Sequence, residues 1–409
     1  MNADIIIVGA GMVGSALATA LKHSRLHVLL LDSGTLQPAA FAPTDAFEPR
    51  VSALSAASQN VLVNLGAWNG ILARRASPYR DMQVWDGSGT GQIHFSASSV
   101  QADVLGHIVE NRIVQDALLE QLQDGSVHLL PNARLSMLRR SGSGWLLTLE
   151  DGSTLRTPLL IGADGANSSV RRLAGCATRE WDYRHHAVVT SVRTELPHQL
   201  TCWQRFTDEG PLAFLPLQHA DGENWCSIVW SLPPERAHAV LQLDDKDFNR
   251  QLTAALEGRL GQVLHSDRRF AVPLRQRHAK RYVEPGLALL GDAAHVIHPL
   301  AGQGVNLGFL DVAELAQALR NALQRGEELA SLQVLSRYER RRMPHNLSMM
   351  AAMQGFQDLF QADALPLRWL RNAGLRHVDS MHEAKALFVR QALGLGSDLP
   401  PLALAAASH

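Results

Sequence analysis

The sequence predicts an α/β fold: a discontinuous Rossmann-like nucleotide-binding domain, an antiparallel β-sheet lobe set into it, and a helical C-terminal region. Three observations carry this expectation. The chain opens with a short apolar run, a glycine turn and a helix-patterned stretch. Two further apolar runs, each ending in a glycine turn, recur around residues 157–171 and 287–306. Between them the pattern changes to closely spaced β-rich segments, rich in Val, Trp and Thr.

In chain order, Asp4–Val8 reads as a buried strand, Met12–Lys22 as a helix and Leu26–Leu31 as a second strand. Both strands are apolar without alternation, as strands covered on two faces are, so the unit is a parallel βαβ. Residues 37–49, rich in Ala and Pro, form a loop, and Val51–Leu65 reads as helical. Short strands follow over Arg80–Phe95, then a helix over Asn111–Gln123 and strands within Val127–Leu149. Thr157–Ile161 is a further buried strand, with a helix starting near Asn167. Ala187–Val192, Thr201–Phe206, Pro211–Leu217 and Trp225–Trp230 supply the β lobe. Leu287–Leu290 returns to the first sheet, a helix covers about Val305–Arg325, and Ser331–Leu395 is mostly helical. The expected division is residues 1–176 with 273–330 for the nucleotide-binding domain, including small inserted strands at 80–100. Residues 177–272 form the substrate lobe and 331–409 the helical region.

Composition narrows the function. The formal net charge is −1, which gives no basic field for a nucleic-acid backbone. Cys176, Cys202 and Cys226 are the only cysteines; so sparse and odd a set fits a reducing, cytoplasmic setting. Ile5–Val8 lacks the basic flank of a signal peptide and breaks at Gly9, so a buried strand is the better reading. No apolar stretch approaches the roughly 20 residues that span a bilayer.

Gly9-Ala-Gly11-Met-Val-Gly14 links the first strand to the first helix. Gly9 permits the tight turn, Gly11 lets a pyrophosphate approach the backbone, and Gly14 lets helix and strand pack closely. The helix N-terminus offers free N–H groups to the phosphates. Asp32 ends the second strand, 18 positions after Gly14, where its carboxylate can accept from a ribose hydroxyl. An acid there disfavours the 2′-phosphate of NADP. This motif alone does not distinguish NAD from FAD.

The second turn, Gly162-Ala-Asp164-Gly165, taken by itself reads as an ordinary Asp-Gly turn before a capped helix. The third, Gly291-Asp292, is followed by His295, His298, Pro299, Gly302, Gln303, Gly304, Val305 and Asn306. Asp292 at a strand end suits the ribitol hydroxyls of a flavin. The Gly302–Gly304 turn would aim helix N–H groups at the flavin's pyrimidine edge. Asp292, His295 and His298 also fit a two-His-one-carboxylate iron site. A loop embedded in a nucleotide-binding pattern favours the flavin, with no metal.

Taken together and in this order, the three motifs resemble the single-component FAD-dependent aromatic hydroxylases of the p-hydroxybenzoate hydroxylase fold. Within that fold the chain is similar to the ubiquinone-biosynthesis hydroxylases, through Arg50–Ser58, Leu105–Asn111, Gly162–Arg171 and Gly291–Gly308. Arg75–Tyr79, Trp181–His186 and Cys226–Ser231 point to the 2-polyprenylphenol hydroxylase branch. The resemblance implies FAD, with Arg50 near its pyrophosphate and Asn111 near its ribitol. It implies NADH or NADPH as a transient reductant, O2, and a flavin C4a-hydroperoxide that hydroxylates the ring of a prenylated phenol. Many relatives carry Glu where this chain has Asp32, and the shorter acid does the same work if the strand end lies closer.

No catalytic base is assigned; His185 and His186 read as solvated strand-edge residues. A polyprenyl tail implies a long apolar channel, and with it a peripheral contact with the inner membrane face or a quinone-biosynthesis complex. Phe356, Leu359, Phe360, Leu365, Leu367, Trp369 and Leu370, with Arg368, Arg371 and Arg376, would serve as an amphipathic contact, or else as a helix packed on the main domain. Two other functions remain open at this point: an FAD monooxygenase of a small soluble aromatic, and a non-catalytic FAD-binding scaffold.

Overall fold

The structure is a computed structural model that describes residues 1–87, 91–297, 304–361 and 398–405, with side chains to residue 355 in the third span. Its first sheet has six strands in the order Val283–Glu284, Leu287–Leu289, Leu159–Gly162, Ile5–Val8, Val28–Leu31 and His128–Leu130. All neighbours are parallel except the edge pair Val283–Glu284 with Leu287–Leu289. Ile5, Ile6, Ile7, Leu29 and Leu30 are fully buried, as the unalternating pattern predicts. Met12–Leu21 packs on this sheet, and Asn111–Glu120 and Gly304–Arg325 pack on that helix.

The β lobe is built on a nine-stranded sheet. Thr178–Thr194 is its longest strand; Gly222–Leu232, Gly210–His219 and Thr201–Thr207 follow it in antiparallel order. Two departures from the expected division arise here. Asp81–Asp86 pairs in parallel with Thr201–Thr207, and Gln92–Ser96 pairs on Asp81–Asp86. The strands expected as an insertion in the nucleotide-binding domain therefore extend the lobe's sheet. The expected boundary at 272/273 also falls inside one strand, Phe270–Ala279. That strand carries the pairing past the boundary to His295–Val296, which joins the same sheet directly after Asp292.

Other differences are local. Val51–Leu54 is a strand rather than the start of a helix, because it pairs with Gly106–Glu110. Ser55 then caps the helix Ala56–Asn64, accepting from the Ser58 N–H. Pro158 divides the expected strand at 157–161 into Thr154–Thr157 and Leu159–Gly162. Helices Trp68–Arg74, Pro234–Leu241 and Asp245–Ala255 were not anticipated. The last two have legible signals, Pro at the first turn and an Asp244 cap that accepts from the Asp247 N–H. Leu332–Gln361 is helical as expected, and Pro401–Ala403 packs on Ala56–Asn64, where Asn60 and Asn64 donate to the carbonyls of Leu402, Ala403 and Leu404. The amphipathic stretch from Phe356 to Arg376 lies outside the described side chains. No helix among the described residues is long and apolar enough to cross a membrane.

Candidate active site

The three glycine turns sit at the ends of three adjacent parallel strands, Ile5–Val8, Leu159–Gly162 and Leu287–Leu289. Their contact is close. Gly9 has φ +101°, and a Cβ there would lie 2.5 Å from the Ala163 carbonyl oxygen. A Cβ on Gly14 would lie 1.8 Å from the Gly9 carbonyl oxygen. Gly291 and Gly308 press on Val13 from the third turn, where added Cβ atoms would lie 3.0 and 2.6 Å from its side chain. A Cβ on Gly11 would meet nothing within 4 Å. Gly9, Gly14, Gly291 and Gly308 thus admit neighbouring protein, whereas Gly11 faces open space.

That space belongs to a cavity of about 670 Å³ between the first sheet and the lobe. Gly11, Arg50, Asn111, Asp292, Gly304 and Val305 line it, so six of the predicted residues share one wall. Asn111 donates its N–H to the Arg50 carbonyl (2.9 Å) and accepts from the Ser52 hydroxyl (2.6 Å). The Arg50 side chain makes no hydrogen bond among the described residues, and its charge favours the ionised form of Asp292. Burial raises the Asp292 pKa above the ordinary carboxylate range, with His295 and Arg50 opposing. Asp292 Oδ1 is 3.9 Å from where a Gly304 Cβ would stand.

Other predicted residues serve the walls. Asp32 accepts from the Ala10 and Gly34 N–H groups, both at 2.7 Å, which ties the first turn to the end of the second strand. Asp164 spends its carboxylate on Ser168, Ser169 and Val170 and caps the helix Ser169–Leu173. Asn306 donates to the Ala53 carbonyl and accepts from Ser55 and Ser58, so its side chain locks the helix Gly304–Arg325 against Val51–Leu54. Pro299, Gly302 and Gln303, like His298, lie outside the described residues. The His185 ring nitrogens lie 2.9 Å from the Tyr183 carbonyl oxygen and 3.1 Å from that of Glu209, so the ring is half-buried against its own lobe rather than solvated.

Three polar groupings were missed in the sequence. Asp311 is fully buried beneath the third turn and accepts from His295 Nε2 (2.5 Å), Arg342 Nε (2.8 Å), Asn346 Nδ2 (3.2 Å) and the Gly291 N–H (3.1 Å). Asn346 and His278 reach Tyr282 on the far side. Burial, then the His295 charge, pushes His278 down to about 4. Arg171 ties the second turn to the third by donating to the carbonyls of Ala166 and Ala293. Arg75 forms a forked pair with Glu110 (2.8 and 3.0 Å), donates to the Asp45 carbonyl and lies 4.2 Å from the centre of the Phe47 ring. Glu110 also accepts from the Glu48 N–H, so this pair holds the loop that delivers Arg50. Substituting Arg75→Lys keeps the charge but loses the fork. The expected cost is about 1–2 kcal/mol in urea unfolding, with weaker FAD binding through the loosened loop.

The residues present fit FAD. The helix Met12–Leu21 has no side-chain cap and no acid in its first turn, and Gly11, Met12 and Val13 line the cavity there. Its free N–H groups and the open face of Gly11 make an anion seat. A second helix start, Gly304 and Val305, meets the same cavity and likewise has no acid in its first turn.

Residues 2–352 match the family described as FAD binding domain. The chain is 40% identical to 3-demethoxyubiquinol 3-hydroxylase of Escherichia coli (strain K12), over 96% of this chain and 98% of that one. It is 36% identical to ubiquinone biosynthesis monooxygenase COQ6, mitochondrial, of Xenopus tropicalis, over 93% of this chain and 91% of that one. The chain belongs to the FAD-dependent ubiquinone-biosynthesis hydroxylases. Like the other members of this hydroxylase family it is an FAD-dependent monooxygenase. Among solved structures, p-nitrophenol 4-monooxygenase PnpA of Pseudomonas putida DLL-E4 shares the fold, with a TM-score of 0.76 at 19% identity over 97% of this chain and 99% of that one. PqsL of P. aeruginosa, solved with 2-aminobenzoylacetate, matches with a TM-score of 0.74 at 24% identity over 92% and 100%. In this hydroxylase the Asp311 cluster had one legible signal. Asp311 stands among Phe309, Leu310, Val312 and Ala313, and an acid flanked by apolar residues on every side of a helix must find a buried partner.

Proposed function

We propose that this chain hydroxylates the aromatic ring of a polyprenylphenol in ubiquinone biosynthesis, using NADH or NADPH and O2. The observation that carries the reading is the composition of the cavity. One end is formed by the glycine turns with Arg50, Asn111 and Asp292; the lobe side has an apolar stretch of Met82, Cys202, Ala213, Leu215 and Val229, with Gln204, Arg275 and Arg277 as its polar groups. An aromatic ring with a hydrocarbon tail matches that wall. The names of the related hydroxylases support the pathway, and Arg75–Tyr79, Trp181–His186 and Cys226–Ser231 support the polyprenylphenol branch.

Bound FAD supplies electrons from the nicotinamide and activates oxygen, which no side chain can do. The chain's own residues bind and orient. The helix start at Gly11 would seat the pyrophosphate, with Arg50 as its cation. Asp292 would accept from the ribitol, and the N–H groups at Gly304–Asn306 would favour negative charge on the reduced ring. The apolar lobe wall excludes water. At its surface end the cavity reaches Val272, which is 45% exposed, on the same strand pair as the exposed Phe270 and Trp181. This apolar margin supports a tail drawn from a bilayer, and with it a cytoplasmic protein peripheral on the inner membrane face.

Deleting the gene tests the substrate. A prenylated phenol lacking one ring hydroxyl should accumulate, identified by mass and fragmentation; normal quinone levels with loss of a small soluble aromatic's oxidation would overturn the reading. Substituting Asp292→Ala should weaken FAD at least about tenfold, the worth of a charge-assisted hydrogen bond. Flavin fluorescence on titration of the apoprotein measures it. Purified wild-type protein should be yellow.

A further inference from the structure

The lobe side of the cavity carries Gln204, Arg275 and Arg277 besides its apolar residues, and two buried residues there bear hydroxyls without a protein partner. Tyr79 is 7% exposed and Ser231 is 3% exposed; both line the cavity, and neither side chain makes a hydrogen bond among the described residues. Tyr79 belongs to an apolar cluster with Phe47, Ala53, Ile108 and Cys202. The Tyr79 hydroxyl keeps open surface, so a ligand filling the cavity would bury it at a cost unless it supplied a hydrogen-bond partner, a cost phenylalanine would not carry.

The backbone makes a place for this ring. Ser77–Tyr79 pairs with Gly106–Glu110, with Tyr79 opposite Gly106. A Cβ on Gly106 would lie 3.0 Å from the Tyr79 hydroxyl and 2.4 Å from the Leu54 carbonyl oxygen. Gly106–Glu110 also pairs with Val51–Leu54, whose Ser52 and Ala53 line the cavity next to Arg50. One small sheet therefore carries the Arg50 side of the site and the tyrosine together. The other end of Ser77–Tyr79 is fixed to the lobe, where the Gln218 N–H donates to the Ser77 hydroxyl.

We infer that Tyr79 is a substrate-orienting residue whose hydroxyl donates a hydrogen bond to the phenolic oxygen of the bound aromatic. This rests on the aromatic-hydroxylase reading above. The donor hydroxyl fixes which edge of the ring is presented, beside the apolar stretch of the lobe wall formed by Met82, Cys202, Ala213, Leu215 and Val229. Burial, with Cys202 adding to it, pushes the Tyr79 phenol well above its ordinary range, so the group keeps its proton and acts as a donor.

The test uses FAD-loaded protein, with ortho-hexylphenol and hexylbenzene as probes and the shift of the flavin absorption spectrum as the binding signal. Substituting Tyr79→Phe should weaken ortho-hexylphenol about fivefold, the worth of one neutral hydrogen bond, and leave hexylbenzene unchanged. Without ligand, the variant should unfold at the same temperature as wild type or higher. Equal affinity of variant and wild type for the phenol would overturn the inference. So would equal weakening of both probes, or a fall in unfolding temperature, because either makes the hydroxyl structural. A phenol-selective loss in Ser231→Ala but not in Tyr79→Phe would overturn it in favour of Ser231. A separate readout covers the underlying reading: if the phenol binds selectively through Tyr79 but wild type forms no hydroxylated product with NADH, NADPH and O2, the orienting role stands and the hydroxylase reading fails. If neither probe perturbs the flavin of the wild type, both fail.

Discussion

Substituting Asp311→Asn is expected to destabilise the protein by about 3–5 kcal/mol, the cost of leaving a buried charge without its partner. The amide keeps the shape but removes the anion between Arg342 and His295, and Arg342 is itself only 5% exposed. Urea unfolding at neutral pH measures the loss, and a change below about 1 kcal/mol would refute the account. The pH dependence has a definite sign. Burial would raise the Asp311 carboxyl, but His295 and then Arg342 outweigh it and hold the group below the ordinary range. A carboxyl lowered on folding contributes stability above its unfolded value, near 3.9, and loses it as pH falls through the folded value. The gap between wild type and Asp311→Asn should therefore be full at neutral pH and shrink only below about pH 4.

Paired alanine substitutions in the first turn should separate packing from ligand space. In Gly14→Ala the new Cβ would stand 1.8 Å from a backbone oxygen that no side-chain rotation can move. The helix Met12–Leu21 must shift off the first strand, at a cost of about 3 kcal/mol or more. In Gly11→Ala the new Cβ meets nothing, and the backbone there (φ −65°, ψ −177°) suits alanine. The apoprotein should lose only about 1 kcal/mol, the amount by which alanine is a poorer cap than glycine. FAD affinity should nevertheless fall, because the methyl occupies the face where the pyrophosphate approaches. Thermal unfolding of both apoproteins, with flavin titration of each, distinguishes the two. If Gly11→Ala bound FAD as wild type does, the pyrophosphate would lie elsewhere.

The first sheet was legible because its strands are apolar on both faces and each ends in a glycine turn, which leaves few alternatives. The same turns made Gly11, Asp292 and Gly304 readable as neighbours although nearly 300 positions separate the first from the last. Val51–Leu54 misled because its residues suit either a helix or a strand, and only pairing with Gly106–Glu110 decides. The reach of Asp81–Asp86 into the lobe was hidden for a similar reason. A parallel partner over 100 residues away leaves no local signature. Asp164 and Asn306 show the opposite limit: their motifs were visible, but which atoms their side chains satisfy depends on Ser168 in one case and on Ala53, Ser55 and Ser58 in the other. Arg75 with Glu110, and Asp311 with Arg342, stand 35 and 31 residues apart, and their pairing is a fact of tertiary packing.

His295–Val296 pairs with His278 and Arg277, so the loop that carries Asp292 runs straight into the border strand of the lobe sheet that lines the cavity. The turn at Asp292 and the lobe side of the cavity share backbone hydrogen bonds, so on the reading proposed above the seats of cofactor and aromatic cannot shift independently. The two ligands are then thermodynamically linked. Whatever factor FAD contributes to the affinity for the aromatic, the aromatic must return to FAD, since the coupling is a single free energy read from two ends. Flavin loss on dilution should slow when the phenol is present, and a hydroxylase depleted of substrate should be the one that sheds its cofactor.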